Sequence, residues 1–370
     1  MKTKIFLSVV LVAVTVIGFY SCKKQSDVVE ASHLTLRLPE VPYSYNAGNF
    51  TGESDDLITL GRVLFYDTHL SVNNAISCAS CHKQIVGFSD NTAFSRGFEN
   101  KLTARNSIPI QNLTPLFFSG DSGGTSLFWD GRQRFLSSMV LKPITNHVEM
   151  GMNDDNAIAE RVRNAPYYTD LFSKAFNGQS DVTSTKIAGA LAAFVGNIRT
   201  SNSKFDQVQN GQASFSPLES EGRSLFFEKY NCGSCHHSVI SPDGYGSTFN
   251  PASFINIGLD QNYSDRGLGA ITHSPSDDGK FKVPSLRNVA ITAPYMHDGR
   301  FATLNDVLDH YSHGIANSAN LDQRLKGADN LPIQMNISEQ EKTAIVAFLG
   351  TLTDYSMVHD PRFSSPFISQ

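Results

Sequence analysis

A motif of two cysteines and a histidine, Cys-x-x-Cys-His, occurs twice in this chain of 370 residues. Two thiols at this spacing can form thioether bonds to the two vinyl groups of a haem, and the adjacent histidine can then bind the haem iron. We therefore predict two covalently attached c-type haems, haem 1 at the first motif and haem 2 at the second. The attachment residues are Cys78, Cys81 and His82 for haem 1, and Cys232, Cys235 and His236 for haem 2.

Other roles for these cysteines agree less well with the sequence. A tetrahedral zinc site needs further cysteine or histidine ligands, and Cys22 is the only cysteine outside the two motifs. A thioredoxin-like redox pair needs a βαβ context, for which the sequence shows no pattern. Haem attachment is therefore the interpretation that accounts for both copies of the motif.

The N-terminus has the pattern of an export signal. Two lysines precede an apolar stretch at residues 5–20, which is shorter than the roughly 20 residues of a membrane-spanning helix. This length is typical of a signal peptide, and residues 19–22 resemble the site where a bacterial lipoprotein is cleaved and lipidated. We predict lipidation of Cys22 and a periplasmic protein anchored to a membrane by its lipid; an uncleaved anchor is the alternative.

The composition limits the class of protein. Hydrophobic residues make up 40% of the chain and charged residues 18%, so the chain can form a packed core and is not disordered as a whole. Its formal net charge is −5 and its basic residues are scattered. This distribution argues against a partner that is a nucleic acid.

The elements that must position the two motifs are themselves repeated. A Gly-Arg-x-Leu-Phe segment, at residues 61–65 and again at 222–226, precedes each motif. An apolar segment with helical spacing closes each half, at residues 187–198 and 345–350. Because patterns typical of β-strands are weak, we predict a mainly α fold of two c-type cytochrome domains in tandem.

The positions of the repeats set the predicted domain boundaries. The distance between the motifs suits one domain of ordinary size in each half, and a polar stretch at residues 201–216 separates the halves. The predicted segments are a signal peptide (1–21), a tether with an N-terminal arm (22–52), an N-terminal cytochrome c domain with haem 1 (53–205), a C-terminal cytochrome c domain with haem 2 (206–356) and a C-terminal tail (357–370).

Several longer stretches resemble the bacterial dihaem cytochrome c peroxidases and the related MauG enzymes, over residues 57–354 in all. The resemblance implies that both haems lie near the domain interface, with peroxide chemistry at haem 1 and electron transfer at haem 2. Its most specific stretches are Leu-Gly-Arg-Val-Leu-Phe-Tyr-Asp at 60–67, Phe-Trp-Asp-Gly-Arg at 128–132, Pro143 with the segment up to Glu149 and Met150, Phe-Lys-Val-Pro-Ser-Leu-Arg-Asn at 281–288 and Thr-Ala-Pro-Tyr-Met-His-Asp-Gly at 292–299.

The resemblance implies roles for individual residues. Trp129 corresponds to a tryptophan that relays electrons between the haems, and Glu149 to a carboxylate beside the reactive haem. Without the resemblance, Trp129 would be taken for a core indole and Glu149 for a surface side chain. Asn106, Thr292 and Pro294 correspond to residues that hold a calcium ion, the first through its side-chain oxygen and the others through backbone carbonyls, and such oxygen ligands suit Ca²⁺.

The sixth ligand of haem 2 divides this family. Peroxidases carry a methionine in the helix after a Tyr-x-His-x-Gly turn, and MauG-type members carry a tyrosine there. This chain has Tyr311 at that position, which we favour as the ligand; Met296, His310 and His313 are the alternatives. A tyrosine ligand lowers the haem potential and a methionine raises it, so the choice bears on how haem 2 exchanges electrons.

Two features depart from the classical peroxidases. Those enzymes have a histidine in the loop after the first motif, which must leave haem 1 on reductive activation, and residues 83–102 here contain none. We therefore expect haem 1 to be open without activation. His147 stands where many relatives have proline, and is either a further group beside haem 1 or a side chain facing solvent.

The predicted function is reduction of hydrogen peroxide to water, with electrons from an exported redox protein such as a cytochrome c or a cupredoxin. The haems carry the redox chemistry, while the protein sets axial ligands, access and the proton supply, the last through Glu149. Two alternatives stay open: a MauG-like enzyme that oxidises a protein or another substrate, and a dihaem electron carrier. Because family peroxidases are often dimers, a homodimer is expected.

Overall fold

The computed structural model describes residues 35–36, 52–113, 127–236 and 253–368. The predicted signal peptide and Cys22 lie outside these ranges. Short helices joined by long loops dominate the described residues, which confirms the mainly α prediction. None of the helices in the described part of the chain is long and apolar enough to span a membrane.

The helices and strands are as follows. The α-helices are α1 (Asp55–Tyr66), α2 (Cys78–Cys81), α3 (Leu136–Met139), α4 (Lys142–Thr145), α5 (Asp155–Asn164), α6 (Tyr168–Ala175), α7 (Ser184–Gly196), α8 (Lys204–Gln209), α9 (Pro217–Ser224), α10 (Leu268–Thr272), α11 (Leu304–Asp309), α12 (Glu339–Gly350) and α13 (Tyr355–Val358). Single π-helical turns continue α9 and α11, at Leu225–Lys229 and His310–Gly314. The strands form two antiparallel pairs, β1 (Thr35–Leu36) with β4 (Phe367–Ile368) and β2 (Phe254–Ile255) with β3 (Phe281–Lys282).

The sequence repeat is also a structural repeat, built on two glycines. In the first half α1 packs on α7, and a Cβ atom at Gly61 would overlap the backbone carbonyl of Ala190. In the second half α9 packs on α12, and a Cβ atom at Gly222 would overlap the backbone carbonyl of Ala344. Glycine is therefore required at both positions, because only a residue without a side chain allows the two backbones to approach this closely.

Each half has its own hydrophobic core. The first is built from α1, α3 and α5–α7, and the second includes Phe205, Phe226 and Phe348. Met357 and Phe363, from the predicted C-terminal tail, are buried in the first core, so this segment packs against the first half. The second half also contains a smaller cluster of Ile315, Leu321 and Leu325. A separate core in each half agrees with two tandem units, while the exact domain boundaries stay a prediction.

Backbone hydrogen bonds join the two halves near the residues of interest. The amide N–H of Asn106 donates to the carbonyl of His297 (2.7 Å), and the amide N–H of Lys282, in β3, donates to the carbonyl of Trp129 (2.8 Å). Side chains add an ion pair between Arg105 and Asp265 (2.7 Å). The segments that contain Asn106 and Trp129 are thus held directly against the second half.

Candidate haem sites

The first Cys-x-x-Cys-His motif forms one helical turn. Helix α2 begins after Ser77, whose amide N–H donates to the hydroxyl of Ser80 (3.0 Å). Residues three apart on a helix share a face, so Cys78 and Cys81 point in a common direction. The amide N–H of His82 closes the turn by donating to the carbonyl of Cys78 (2.9 Å).

His82 is oriented as an iron ligand would be. Its Nδ1 lies 3.0 Å from the carbonyl oxygen of Phe88 and 3.2 Å from the hydroxyl of Ser107, which itself donates to the carbonyl of Cys81 (2.7 Å). Nδ1 therefore carries the proton and donates, which leaves the Nε2 lone pair available for a metal. Burial lowers the pKa of His82, which favours the neutral ring that binds iron.

A cavity of about 770 Å³ opens beside this motif. Its volume lies within the range of small-molecule and cofactor sites, roughly 300–1,000 Å³. The sequence-predicted residues on its wall are Cys78, Cys81, His82, Asn106, Trp129 and Glu149. Side chains of apolar residues, such as Phe65, Leu127 and Val195, form much of the remaining wall. The two thiols, the oriented imidazole and the apolar wall fit a covalently attached haem.

Glu149 is the acidic residue predicted for this cavity, and its surroundings fix its position and change its pKa. Its carboxylate accepts a hydrogen bond from the side-chain amide of Asn146 (2.9 Å). Burial raises the pKa of Glu149, with Arg132 opposing the rise. A carboxyl group whose pKa is raised towards neutrality can both accept and donate a proton, which is the property of a general acid–base group.

Trp129 is buried in the cavity wall at the contact between the halves. Its side chain is 8% exposed, and its indole N–H donates to the carbonyl of Asn106 (2.9 Å). Its own carbonyl is bound by the amide of Lys282. Trp129 is therefore fixed from both sides, by the first half through Asn106 and by the second half through β3.

Two of the residues predicted for calcium, Asn106 and Thr292, lie at the same contact, and the third, Pro294, is partly buried. The side-chain amide of Asn106 donates to the carbonyls of Thr92 (3.1 Å) and Ala93 (3.3 Å), and Thr292 is buried beside Gly87. No group of three or more His, Cys, Asp or Glu side chains among the described residues is placed to hold a metal. A site built from an amide and two backbone carbonyls is of another kind, and it stays a prediction.

The second motif has the same backbone arrangement as the first. Its histidine, His236, donates its amide N–H to the carbonyl of Cys232 (2.9 Å), as His82 does to Cys78. Burial raises the pKa of Cys232 to about 12 and also raises that of Cys235. The structure describes this motif only up to His236, since residues 237–252 lie outside the described ranges.

Tyr311 lies close to the second motif. Burial raises the pKa of Tyr311, and the nearby thiols of Cys232 and Cys235 raise it further. The other candidates have different surroundings: Nε2 of His310 is bound to the carbonyl of Ile257 (3.0 Å). His313 is exposed and Met296 is partly buried. The position of Tyr311 beside both cysteines supports it as the haem 2 ligand, which stays a prediction.

The structure also separates one suggested residue from the site and adds others. His147 is exposed and does not line the cavity, which favours the solvent-facing alternative. Arg105, Asp265 and Lys282 also line the cavity, and the sequence analysis predicts no role for them. Only Lys282 could have been noticed in the sequence, because a lysine between Phe and Val is unusual in an apolar stretch. The pairing of Arg105 with Asp265 depends on the fold and has no sequence pattern.

The fold and the first site define a helix-rich c-type haem protein. Residues 55–214 match the protein family described as di-haem cytochrome c peroxidase. The chain is 34% identical over 330 residues to the methylamine utilization protein MauG of Methylorubrum extorquens, covering 89% of this chain and 86% of that protein. It is 31% identical over 324 residues to the cytochrome c551 peroxidase of Nitrosomonas europaea, covering 86% and 85%.

A solved structure agrees with these relatives. The crystal structure of a MauG-like protein associated with microbial copper homeostasis has 33% sequence identity and a TM-score of 0.73, over 90% of this chain and 98% of that one. The chain therefore belongs to the dihaem cytochrome c peroxidase/MauG family. Relatives of both kinds are oxidoreductases, so this chain is an oxidoreductase enzyme.

Proposed function

We propose that this protein reduces hydrogen peroxide to water at the cavity beside His82, with electrons from an exported cytochrome c or cupredoxin. The observation that carries the proposal is Glu149, a partly buried carboxyl group with a raised pKa on the same cavity wall as the oriented imidazole of His82. An electron carrier has no need for a proton-transfer group at its haem. When bound, the haems supply the iron redox chemistry that peroxide reduction requires.

The residues of the cavity have distinct tasks in this reaction. His82 binds the iron through Nε2, and the carbonyl of Phe88 holds its ring in place. Each peroxide takes up two electrons from the donor protein and two protons from solvent to give two molecules of water. For one peroxide oxygen to leave as water when the O–O bond breaks, that oxygen must receive the proton of the other. Glu149 accepts the proton from one oxygen and returns it to the other, while Asn146 fixes the carboxylate in position.

The other predicted parts complete the proposal. Trp129, held between the halves, offers a path for electrons from the second half. Tyr311 binds the second haem, and calcium bound by Asn106, Thr292 and Pro294 fastens the two halves together. Export and lipidation at Cys22 place the enzyme in the periplasm on a membrane surface, where a small redox protein can reach it.

A second candidate is oxidation of another protein, which the resemblance to the MauG-type enzymes implies. The observation in its favour is Tyr311 beside Cys232 and Cys235, since a tyrosine ligand lowers the potential of a haem and makes it a poorer entry point for electrons from a donor. In this case the oxidising equivalents from peroxide would be used on an external substrate.

Spectroscopy of the holoprotein distinguishes these functions. Optical and EPR spectra would be recorded on the oxidised and half-reduced protein, and hydrogen peroxide would then be added with a reduced cytochrome c. We expect a high-spin haem 1 in the oxidised protein and rapid oxidation of the donor. A long-lived oxidised protein without donor turnover would support oxidation of another substrate. Two low-spin haems that do not react with peroxide in either state would contradict both and leave an electron carrier.

A further inference from the structure

Lys282 is a buried lysine on the wall of the haem 1 cavity. Its side chain is only 6% exposed. It lies in β3, where it pairs with Phe254 of β2, and its amide N–H is bound to the carbonyl of Trp129. Lys282 thus belongs to the second half of the chain, but it lines a cavity built around the Cys-x-x-Cys-His motif of the first half.

The acidic groups on the same wall are already paired with arginines. Arg105 donates to Asp130 (2.6 Å) and binds both carboxylate oxygens of Asp265 (2.7 Å each), and Arg132 also donates to Asp130 (2.9 Å). Within the described ranges, no carboxylate forms an ion pair with the ammonium group of Lys282. The third acidic residue of the cavity wall, Glu149, accepts a hydrogen bond from Asn146 instead.

A buried ammonium group without an anion is unfavourable, because it has lost its water and gained no charge in return. Burial alone lowers the pKa of Lys282 to about 8, with no carboxylate contributing a compensating rise. A long side chain could avoid this cost by reaching solvent, but the low exposure of Lys282 argues against that. The remaining place for an anion is the cavity itself.

We propose that the ammonium group of Lys282 pairs with a propionate carboxylate of haem 1. The propionates are the anionic groups of an otherwise apolar ring, and a cation in the cavity wall is the chemistry that recognises them. This proposal rests on haem attachment at Cys78 and Cys81, and it does not depend on which substrate the enzyme oxidises. It follows that a residue of the second half acts on the reduction potential of the haem attached to the first.

Removal of the charge of Lys282 is expected to lower the midpoint potential of haem 1. Reduction of the iron adds negative charge to the haem, and a nearby cation stabilises that charge. Removal of the cation therefore favours the oxidised form and lowers the midpoint potential of haem 1. Haem 2, attached at Cys232 and Cys235, should keep its potential.

Redox titration of the full-length holoprotein tests the proposal. The variants are Lys282→Met, which removes the charge, Lys282→Gln, which keeps a hydrogen-bond donor, and Lys282→Arg, which keeps the charge. The matched control is Lys280→Met, two residues away, where the lysine pairs with Asp277 on a more exposed surface. Haem content is measured by pyridine haemochrome spectra and by the mass of each cysteine peptide, so attachment is checked separately from potential.

We expect a tenfold shift of the haem 1 equilibrium towards the oxidised form in Lys282→Met, which is about 59 mV for a one-electron couple. Lys282→Gln should show a shift in the same direction, while Lys282→Arg and Lys280→Met stay close to wild type. An unchanged haem 1 potential in Lys282→Gln or Lys282→Met, with both haems attached, overturns the proposal. If Lys282→Met fails to fold, the comparison of Lys282→Gln with Lys282→Arg decides.

The failure of this inference is distinct from failure of the proposed function. Potentials and haem content are measured without peroxide, so a protein that never turns over peroxide can still show the Lys282 effect. A normal peroxidase rate with an unchanged potential in the Lys282 variants would overturn only the pairing. Absence of haem at Cys78 and Cys81 in the wild-type protein would overturn both.

Discussion

At the scale of single residues, the proposed peroxide reduction depends most on Glu149. Glu149→Gln keeps the size of the side chain and its contact with Asn146 but cannot take up a proton. We expect the rate of peroxide consumption to fall by about 10²–10⁴, the usual contribution of a general acid–base group. The measurement is stopped-flow kinetics of the holoprotein. Glu160→Gln, on an exposed position of α5, is the control and should keep the wild-type rate.

The pH profile gives the same residue a second test. Because burial raises the pKa of Glu149, the basic form that accepts the first proton is lost at a higher pH than for an ordinary glutamate. The wild-type rate should therefore decrease as the pH falls through this raised value, and this acidic limb should disappear in Glu149→Gln. An identical limb in the variant would assign the titration to another group.

Tyr311 can be tested as the ligand of haem 2. Tyr311→Met replaces an oxygen ligand by a thioether and should raise the midpoint potential of haem 2 and change its EPR signal. Met296→Leu, which removes the alternative ligand, should leave both unchanged. If Met296→Leu changes the haem 2 spectrum and Tyr311→Met does not, the ligand is Met296. Haem 1 serves as the internal reference in both variants.

The residues of the haem 1 site differ in how visible they are in the sequence. Spacing alone identifies Cys78, Cys81 and His82, because all the residues that attach the haem and bind its iron at this motif lie within five consecutive positions. Phe88 and Ser107, the two partners that orient His82, cannot be found in this way. A backbone carbonyl and a serine hydroxyl carry no sequence pattern, and only the fold places them beside the ring.

At the scale of elements, the two glycine contacts can be compared directly. Gly61→Ala would press a methyl group against Ala190 in α7, and Gly222→Ala would do the same against Ala344 in α12. We expect each to lower the free energy of unfolding by about 1–3 kcal/mol, as overpacked cores do. Thermal denaturation followed by circular dichroism measures it.

Gly189→Ala is the matched control for these two variants. Gly189 lies in α7, next to Ala190, but a Cβ atom there would meet nothing within 4 Å. Alanine is the better helix former, so this variant should gain about 0.5–1 kcal/mol. If Gly61→Ala were as stable as Gly189→Ala, close approach of the helix backbones would not explain the repeated glycine.

A buried aspartate joins the end of α1 to the start of α6. Asp67 is fully buried and accepts hydrogen bonds from the hydroxyls of Tyr167 and Tyr168 (2.6 Å each) and from Nδ1 of His69 (2.8 Å). Asp67→Asn should lower the free energy of unfolding by about 1.5–3 kcal/mol, the value of hydrogen bonds to a charged group. Asp155→Asn, at an exposed position in α5, is the control, and urea denaturation is the measurement.

The same cluster gives stability a dependence on pH. Burial, the largest influence, acts to raise the pKa of Asp67, but the hydrogen bonds from His69, Tyr167 and Tyr168 outweigh it, so the net pKa is lowered. Its contribution is therefore present above the unfolded pKa and is lost as the pH falls through the lowered folded value. The hydrogen bond to Asp67 raises the pKa of His69. The contribution of His69 to stability is therefore lost as the pH rises through its raised pKa. Asp67→Asn should flatten both limbs.

The elements also mark the limit of prediction from the sequence. The helical spacing of residues 187–198 and 345–350 predicted α7 and α12, because an amphipathic or buried helix must repeat its apolar residues every three to four positions. The strand β3 and the return of Met357 and Phe363 to the first core have no such period. Two-residue strands and long-range packing are decided by tertiary contacts, which a local pattern does not contain.

At the scale of the whole molecule, the two halves meet at residues that line the haem 1 cavity. Trp129 is bound by Asn106 from one half and by Lys282 from the other, while Arg105 pairs with Asp265 across the same contact. A sequence repeat predicts two similar units, but it cannot predict how they touch. The resemblance to a known family was therefore needed to find Trp129 and Asn106 at this contact, and the structure shows that Lys282 lies there as well.

This arrangement predicts that Trp129 controls electron transfer between the halves. Trp129→Phe keeps an aromatic ring in the wall but removes the indole, which is the more easily oxidised group and the donor to Asn106. In half-reduced protein mixed with peroxide, stopped-flow absorbance should show haem 2 oxidised at least about tenfold more slowly, a change of about 1.4 kcal/mol in the barrier. Reaction of peroxide at haem 1, which the proposed function assigns to His82 and Glu149, should proceed at the wild-type rate. Tyr355→Phe, at a surface position that is 65% exposed, controls for loss of an aromatic group elsewhere. Equal slowing of both haems in Trp129→Phe would mean that the indole shapes the cavity and carries no electrons, because a relay acts only on the step between the halves.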